Sequence, residues 1–157
     1  MAKHQKPAAE PELLRLRAGD PEDLSIIASC LQDAILPVSE MAYAASEGRF
    51  VAVANRFRWE RLSDGDGFER IRSALSFDKV RRCQLRHIDL RDRGFLLNLL
   101  TIDVQALDDG AFAITLLCAE DRAIRVEVDQ IDMKMGDYGA PWTTSAAPRH
   151  QHDEPPP

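Results

Sequence analysis

The sequence predicts an α+β fold: one N-terminal helix plus a curved, mostly antiparallel sheet of seven or eight strands, barrel-like or in two layers. Three observations carry this. Residues 20–35 place apolar side chains at helical spacing behind a helix-start signal, and no second stretch does so convincingly. From residue 38 onward, apolar residues recur at period two in short runs. The runs are separated by turn formers such as Ser46-Glu47-Gly48, Asp64-Gly65-Asp66-Gly67 and Asp108-Asp109-Gly110. Connections that short join antiparallel neighbours, whereas parallel strands need a long crossover.

Residues 1–12 are polar and unpatterned, which predicts a disordered tail. Leu13-Leu14-Arg15-Leu16-Arg17 reads as a short first strand. Asp20 is a good N-cap, Pro21 suits the first helical position, and Asp23 completes a capping box. Leu24, Ile27, Ala28, Leu31 and Ile35 form the helix's apolar stripe, and Pro37 stops it by about Ala34 or Ile35.

Residues 49–61 are the stretch around which the rest is organised. Val51, Val53, Phe57 and Trp59 share one face at period two, and Ala52, Ala54, Arg56, Arg58 and Glu60 share the other. The expectation is a long strand with its valines and aromatics inward and its arginines outward. Strands follow at residues 68–77, 80–88, 96–107 and 112–118, with a bend expected near Asp78. Residues 124–135 alternate cleanly but slip phase, predicting a bulge near Asp129 or Gln130. The folded domain should span residues 13–142, with a disordered proline-rich tail at 143–157.

Charge is distributed unevenly. The net charge is −6, yet residues 49–93 hold 12 Lys+Arg, eleven of them arginine, against 7 Asp+Glu. Residues 94–157 hold 4 against 11. An acidic protein with an arginine-rich middle invites an anionic partner for that middle. The N-terminus lacks the apolar run of a signal peptide, and no apolar stretch approaches the length of a bilayer span, so a cytoplasmic location is expected. Cys30, Cys83 and Cys118 are scattered and have no Cys-x-x-Cys spacing, which supports neither a disulfide framework nor a zinc site.

The segments Leu31-Gln32-Asp33-Ala34, Ser39-Glu40-Met41-Ala42-Tyr43, Arg49-Phe50 and Asn55-Arg56-Phe57-Arg58-Trp59-Glu60 resemble a bacterial family catalogued only as domain of unknown function 2948. The resemblance covers residues 14–142, and Asn-Arg-Phe-Arg-Trp-Glu is its most specific piece. It implies no activity, ligand or catalytic residue.

Two candidate sites emerge. If the Asp64–Gly67 turn joins its strands in simple register, Trp59 faces Ile71 and Arg58 faces Arg72. Arg56, Arg58, Arg70 and Arg72 then form one positive face, either a solvated surface balanced by nearby acids or a dock for an acidic protein or RNA. No aromatic is interleaved on that face, which weakens the single-stranded RNA reading. The alternative is a small-molecule-binding or enzymatic barrel whose cavity is lined by Asn55, Trp59, Tyr43 and His87. A structural role through an exposed strand edge is a third reading. No glycine-rich phosphate loop, nucleophile elbow or zinc-protease motif occurs, and nothing implies a cofactor or metal. The expected function is therefore a non-enzymatic binding module.

Overall fold

The computed structural model describes residues 12–64 and 68–144. Helix α1 (Pro21–Cys30) begins at the expected signal. The Asp20 carboxylate accepts from the Asp23 N–H at 2.8 Å, and Asp23 reaches back to the Gly19 N–H at 3.1 Å. Leu24 and Ile27 are buried. The helix ends at Cys30, earlier than expected, with Leu31 N–H bonded back to the Ile27 and Ala28 carbonyls. Asp33 takes φ 64°, which no right-handed helix accommodates, and the chain turns there into a strand.

The strands are β1 (Arg15–Ala18), β2 (Ile35–Pro37), β3 (Met41–Ala44), β4 (Arg49–Phe57), β5 (Phe68–Phe77), β6 (Val80–Arg86), β7 (Leu96–Ala106), β8 (Phe112–Cys118), β9 (Arg122–Val128) and β10 (Met133–Thr144). They pair antiparallel in the order β1-β10-β5-β4-β2-β7-β8-β9-β6, with β3 beside β4. The fold is thus predominantly β, one helix with an antiparallel sheet whose end strands β1 and β6 do not pair to close it. Leu75, Phe77 and Ala52 from one half of the sheet share a core with Ile114, Leu116, Ile124 and Val126 from the other, and Leu24 and Ile27 of α1 join it.

Ten strands replace the expected seven or eight, for two reasons. Ile35, read as the end of the helix, begins β2 between β4 and β7. The phase slip at Asp129-Gln130 is a break between strands rather than a bulge: β9 stays beside β8, while β10 crosses to lie between β1 and β5. β10 also runs to Thr144, so Thr143 and Thr144 belong to the sheet and not to a tail. Apart from Glu12, the rest of the two expected tails lies outside the described residues. The turn at Asp78 and the hairpin at Asp108-Asp109-Gly110 form as expected, with Lys79 at φ 60° and Leu107 N–H bonded to Ala111 O at 2.8 Å.

The phase of β4 is the reverse of the expectation. Phe50, Ala52, Ala54 and Arg56 are buried on the core side, and Val51 and Val53 lie on the outer face. Its register with β5 differs too: Phe57 pairs with Arg70, Arg56 with Ile71 and Asn55 with Arg72. β4 stops at Phe57, and Trp59–Asp64 winds into a 3-10 helix, so a tight turn does not set the pairing. Gly65, Asp66 and Gly67 of the expected turn lie outside the described residues.

Candidate functional site

The four arginines expected to share one solvent face divide into two groups. Arg56 is 0% exposed. Its Nε and Nη2 donate to the two Asp137 oxygens at 2.9 and 2.7 Å, and its Nη1 and Nη2 donate to the two Glu60 oxygens at 3.1 and 2.9 Å. The fifth donor reaches Phe57 O at 2.9 Å. Asp137 also accepts from Ser73 Oγ and from Leu14 N–H. This is a fully satisfied ionic staple joining β1's approach, β4, β5 and β10. Burial would lower the pKa of Arg56, but its bonds to Asp137 and Glu60 outweigh this and hold it above the ordinary value. Burial would likewise raise both carboxyls, but Arg56 keeps them below the usual carboxylate range.

Arg58 is 2% exposed and donates to Glu69 at 2.7 Å, so it too is withdrawn from solvent. Arg56 and Arg58 therefore cannot dock a partner. Solvent exposure was expected of them because Glu60 and Glu69 read equally well as surface partners, and the buried counter-charge, Asp137, lies 81 residues away from Arg56.

Arg70 and Arg72 occupy the outer face of β5. The Arg70 guanidinium stacks 3.8 Å above the Phe57 ring and donates to Asn55 O at 2.7 Å. Its pKa is lowered by burial, partly offset by the charge of Asp33. Arg72 is exposed and 3.3 Å from Glu40.

The four expected pocket residues do not converge. Asn55 is central on the outer face of β4, and its Oδ1 is buried without a hydrogen-bond partner. Trp59 follows β4, packs edge-on against Phe57 and donates to Gln32 O at 3.2 Å. Tyr43 is an exposed residue of β3, paired with Phe50 at the opposite end of β4. His87 is exposed beyond β6, 3.8 Å from Asp121. The three thiols are held protonated: burial pushes Cys118 up to about 11 and raises Cys30 and Cys83 as well. Among the described residues, no three His, Cys, Asp or Glu side chains gather into a group fit to hold a metal.

A larger arrangement appears once the register is followed across strands, because directly paired residues project from the same face of a sheet. One row runs Tyr138, Arg72, Asn55, Ile35, Asn98 across β10, β5, β4, β2 and β7. Beside it, Trp142 pairs with Arg70 and Arg70 with Phe57. Two further rows begin on β1: Arg15, Gly136, Ala74, Val53, and then Arg17, Lys134, Ser76, Val51. Arg49 completes the set beside Ala44. These rows place six bases outward and no carboxylate. Loop acids partly neutralise them: Asp78 lies 2.7 Å from Arg49 and 3.8 Å from Lys134. Asp132 and Asp33 act electrostatically on Arg17 and Arg70 in the same way.

Exposed aromatics stand among these bases, contrary to expectation. Tyr138 is 39% exposed and Trp142 40%. Sequence reasoning missed the arrangement because β1 and β10, which supply Arg15, Arg17, Lys134, Tyr138 and Trp142, meet only through pairing across more than a hundred residues. The face ends in an open groove of about 390 Å³ whose lining includes Arg70, Arg122, Phe95, Asn98 and the acids Asp33 and Glu120, the last paired with Arg122. Arg122 stacks 4.4 Å from the Phe95 ring and donates to His87 O at 3.0 Å.

Comparison with known proteins adds a family but no relative of described function. No curated protein and no solved structure matches the chain. A family model described as "Protein of unknown function (DUF2948)" matches residues 14–150, which takes in the whole described sheet and every described residue but Glu12 and Leu13. The chain belongs to that family.

Proposed function

We propose that this protein is a non-enzymatic, cytoplasmic binding module that engages an anionic partner through the outer face of β1, β10, β5 and β4. One observation carries the reading: the outward rows hold six bases and no carboxylate, in a chain whose net charge is −6. Bases spread at random over an acidic protein would be interleaved with acids. Here the flanking segments supply the acids, Asp78 beside Arg49 and Lys134 and Glu40 beside Arg72, and the rows themselves carry only bases. Arginine predominates, and its planar fork suits carboxylate and phosphate oxygens equally.

Retention on immobilised heparin tests this, because a protein of net charge −6 is held by a polyanion only through a local positive surface. The wild-type chain should be retained at low salt and released by a sodium chloride gradient. A variant carrying R15Q, R17Q and R72Q should elute early, while R82Q, R86Q and R91Q, on β6 and the loop beyond it, should leave elution near the wild-type position. Flow-through of the wild type, or equal loss in both variants, would refute the assignment.

A second reading draws support from the groove at Arg70 and Arg122, where two guanidinium groups stand beside Phe95 and Leu97 and a small carboxylate or phosphate ligand would compete with Glu120 for Arg122. It requires thermal stabilisation by such a ligand that R122Q removes and R15Q leaves intact.

A further inference from the structure

We infer that the anionic partner is single-stranded nucleic acid, held flat on the outer face of the sheet by stacking as well as by charge; this rests on the basic-face reading above. Charge alone does not choose between an acidic protein and a polynucleotide. The uncharged side chains on the same rows do.

Trp142 and Tyr138 stand in solvent on β10, each opposite a guanidinium of the neighbouring strand, at Arg70 and Arg72. Adjacent strands lie about 4.8 Å apart, so each aromatic ring adjoins its arginine, with the other pair a few residues away. An acidic peptide would use the guanidinium groups and leave the rings in water. A single strand uses both: bases have π-faces for the rings, and phosphates accept from the arginines.

Asn55, next along the Tyr138–Arg72 row, adds a third element. Its Oδ1 is buried without a partner, a costly arrangement that a base amino or imino N–H would relieve once the side chains covering it are displaced. Asn98, two strands further, brings a second amide to the mouth of the Arg70–Arg122 groove. Amides at this position read base edges, which a carboxylate-rich protein surface does not present. A duplex is a poor fit, because its bases are already stacked and paired and cannot reach Trp142 or Tyr138.

Fluorescence anisotropy with a short fluorescein-labelled uridine oligonucleotide tests the inference on the full-length chain. Salt-sensitive binding is expected, weakened about tenfold or more by Y138A/W142A, which leaves every charge in place; this corresponds to the stacking loss of about 1–3 kcal/mol per base. W142F, which keeps a stacking ring, should restore affinity to within a few-fold of wild type. R70Q/R72Q should weaken binding and flatten its salt dependence. Duplex of the same length and polyglutamate should compete poorly with the labelled strand.

If the oligonucleotide binds equally well to Y138A/W142A, or if polyglutamate or duplex competes as well as the single strand, the nucleic-acid inference falls while heparin retention still supports a basic docking face. If neither heparin nor oligonucleotide binds the wild type, both readings fall. A preference for deoxythymidine over uridine oligonucleotides would keep the inference and assign the strand as DNA.

Discussion

Arg56 has no contact with water, and its five N–H donors are all used on Asp137, Glu60 and the Phe57 carbonyl. A buried ion pair of this kind adds little over a well-packed apolar substitute, yet losing one partner leaves a charge stranded in the interior. Arg56→Gln should therefore destabilise the fold by about 3–5 kcal/mol, read as a lower urea midpoint at unchanged slope. The same cluster makes a pH prediction. Asp137 and Glu60 have folded pKa values below their unfolded ones, so their stabilisation is fully present above the unfolded carboxylate range and is lost as pH falls through the folded values. The urea midpoint of the wild type should thus hold from neutral pH to about 5 and then decline toward pH 3. Asp137→Asn should begin lower and decline less steeply, because a titrating group is gone. An equal decline in both proteins would place the acid sensitivity elsewhere.

At the level of single elements, what was legible depended on whether the deciding interaction was local. Helix α1 was readable because its start is written within four residues, Asp20 capping Asp23 behind a proline. The hairpin between β7 and β8 was readable for the same reason, its turn carrying Gly110 at φ 84°. β4 was found but inverted. Its two faces are both largely apolar, alanine and phenylalanine on one and valine on the other, so alternation left the phase open and the arginines decided it wrongly. Arg56 points inward because Asp137 meets it there, and that carboxylate belongs to the last strand. β2 was missed because Ile35 continues the helical spacing of Leu24 and Ile27, while the break at Asp33 rests on a long-range bond from its N–H to Leu99 O at 2.8 Å. The candidate site divides in the same way: Arg70 and Arg72 were identified on their own strand, whereas Tyr138, Trp142, Arg15 and Arg17 join them only through the sheet order.

For the whole molecule, the sheet order sets the terms. β10 is the last described strand in the chain but stands between β1, the first, and β5. It supplies Met133 and Met135 to the core, Asp137 to the ionic staple, and Tyr138 and Trp142 to the outer face. A chain shortened to end at Asp132 should therefore fail as a unit rather than lose one edge. Circular dichroism should find no cooperative thermal transition, and limited proteolysis should degrade the fragment throughout. A fragment that still melted cooperatively would mean that β10 merely decorates a sheet complete without it.

The central place of β10 also bears on how the chain is made. Until β10 is made, Arg56 has Glu60 but not Asp137 as a counter-ion, and β1 and β5 both present open edges to the cell. Acquisition of the native state must then wait until β10 has been translated, which makes the nascent chain a natural client for a holding chaperone.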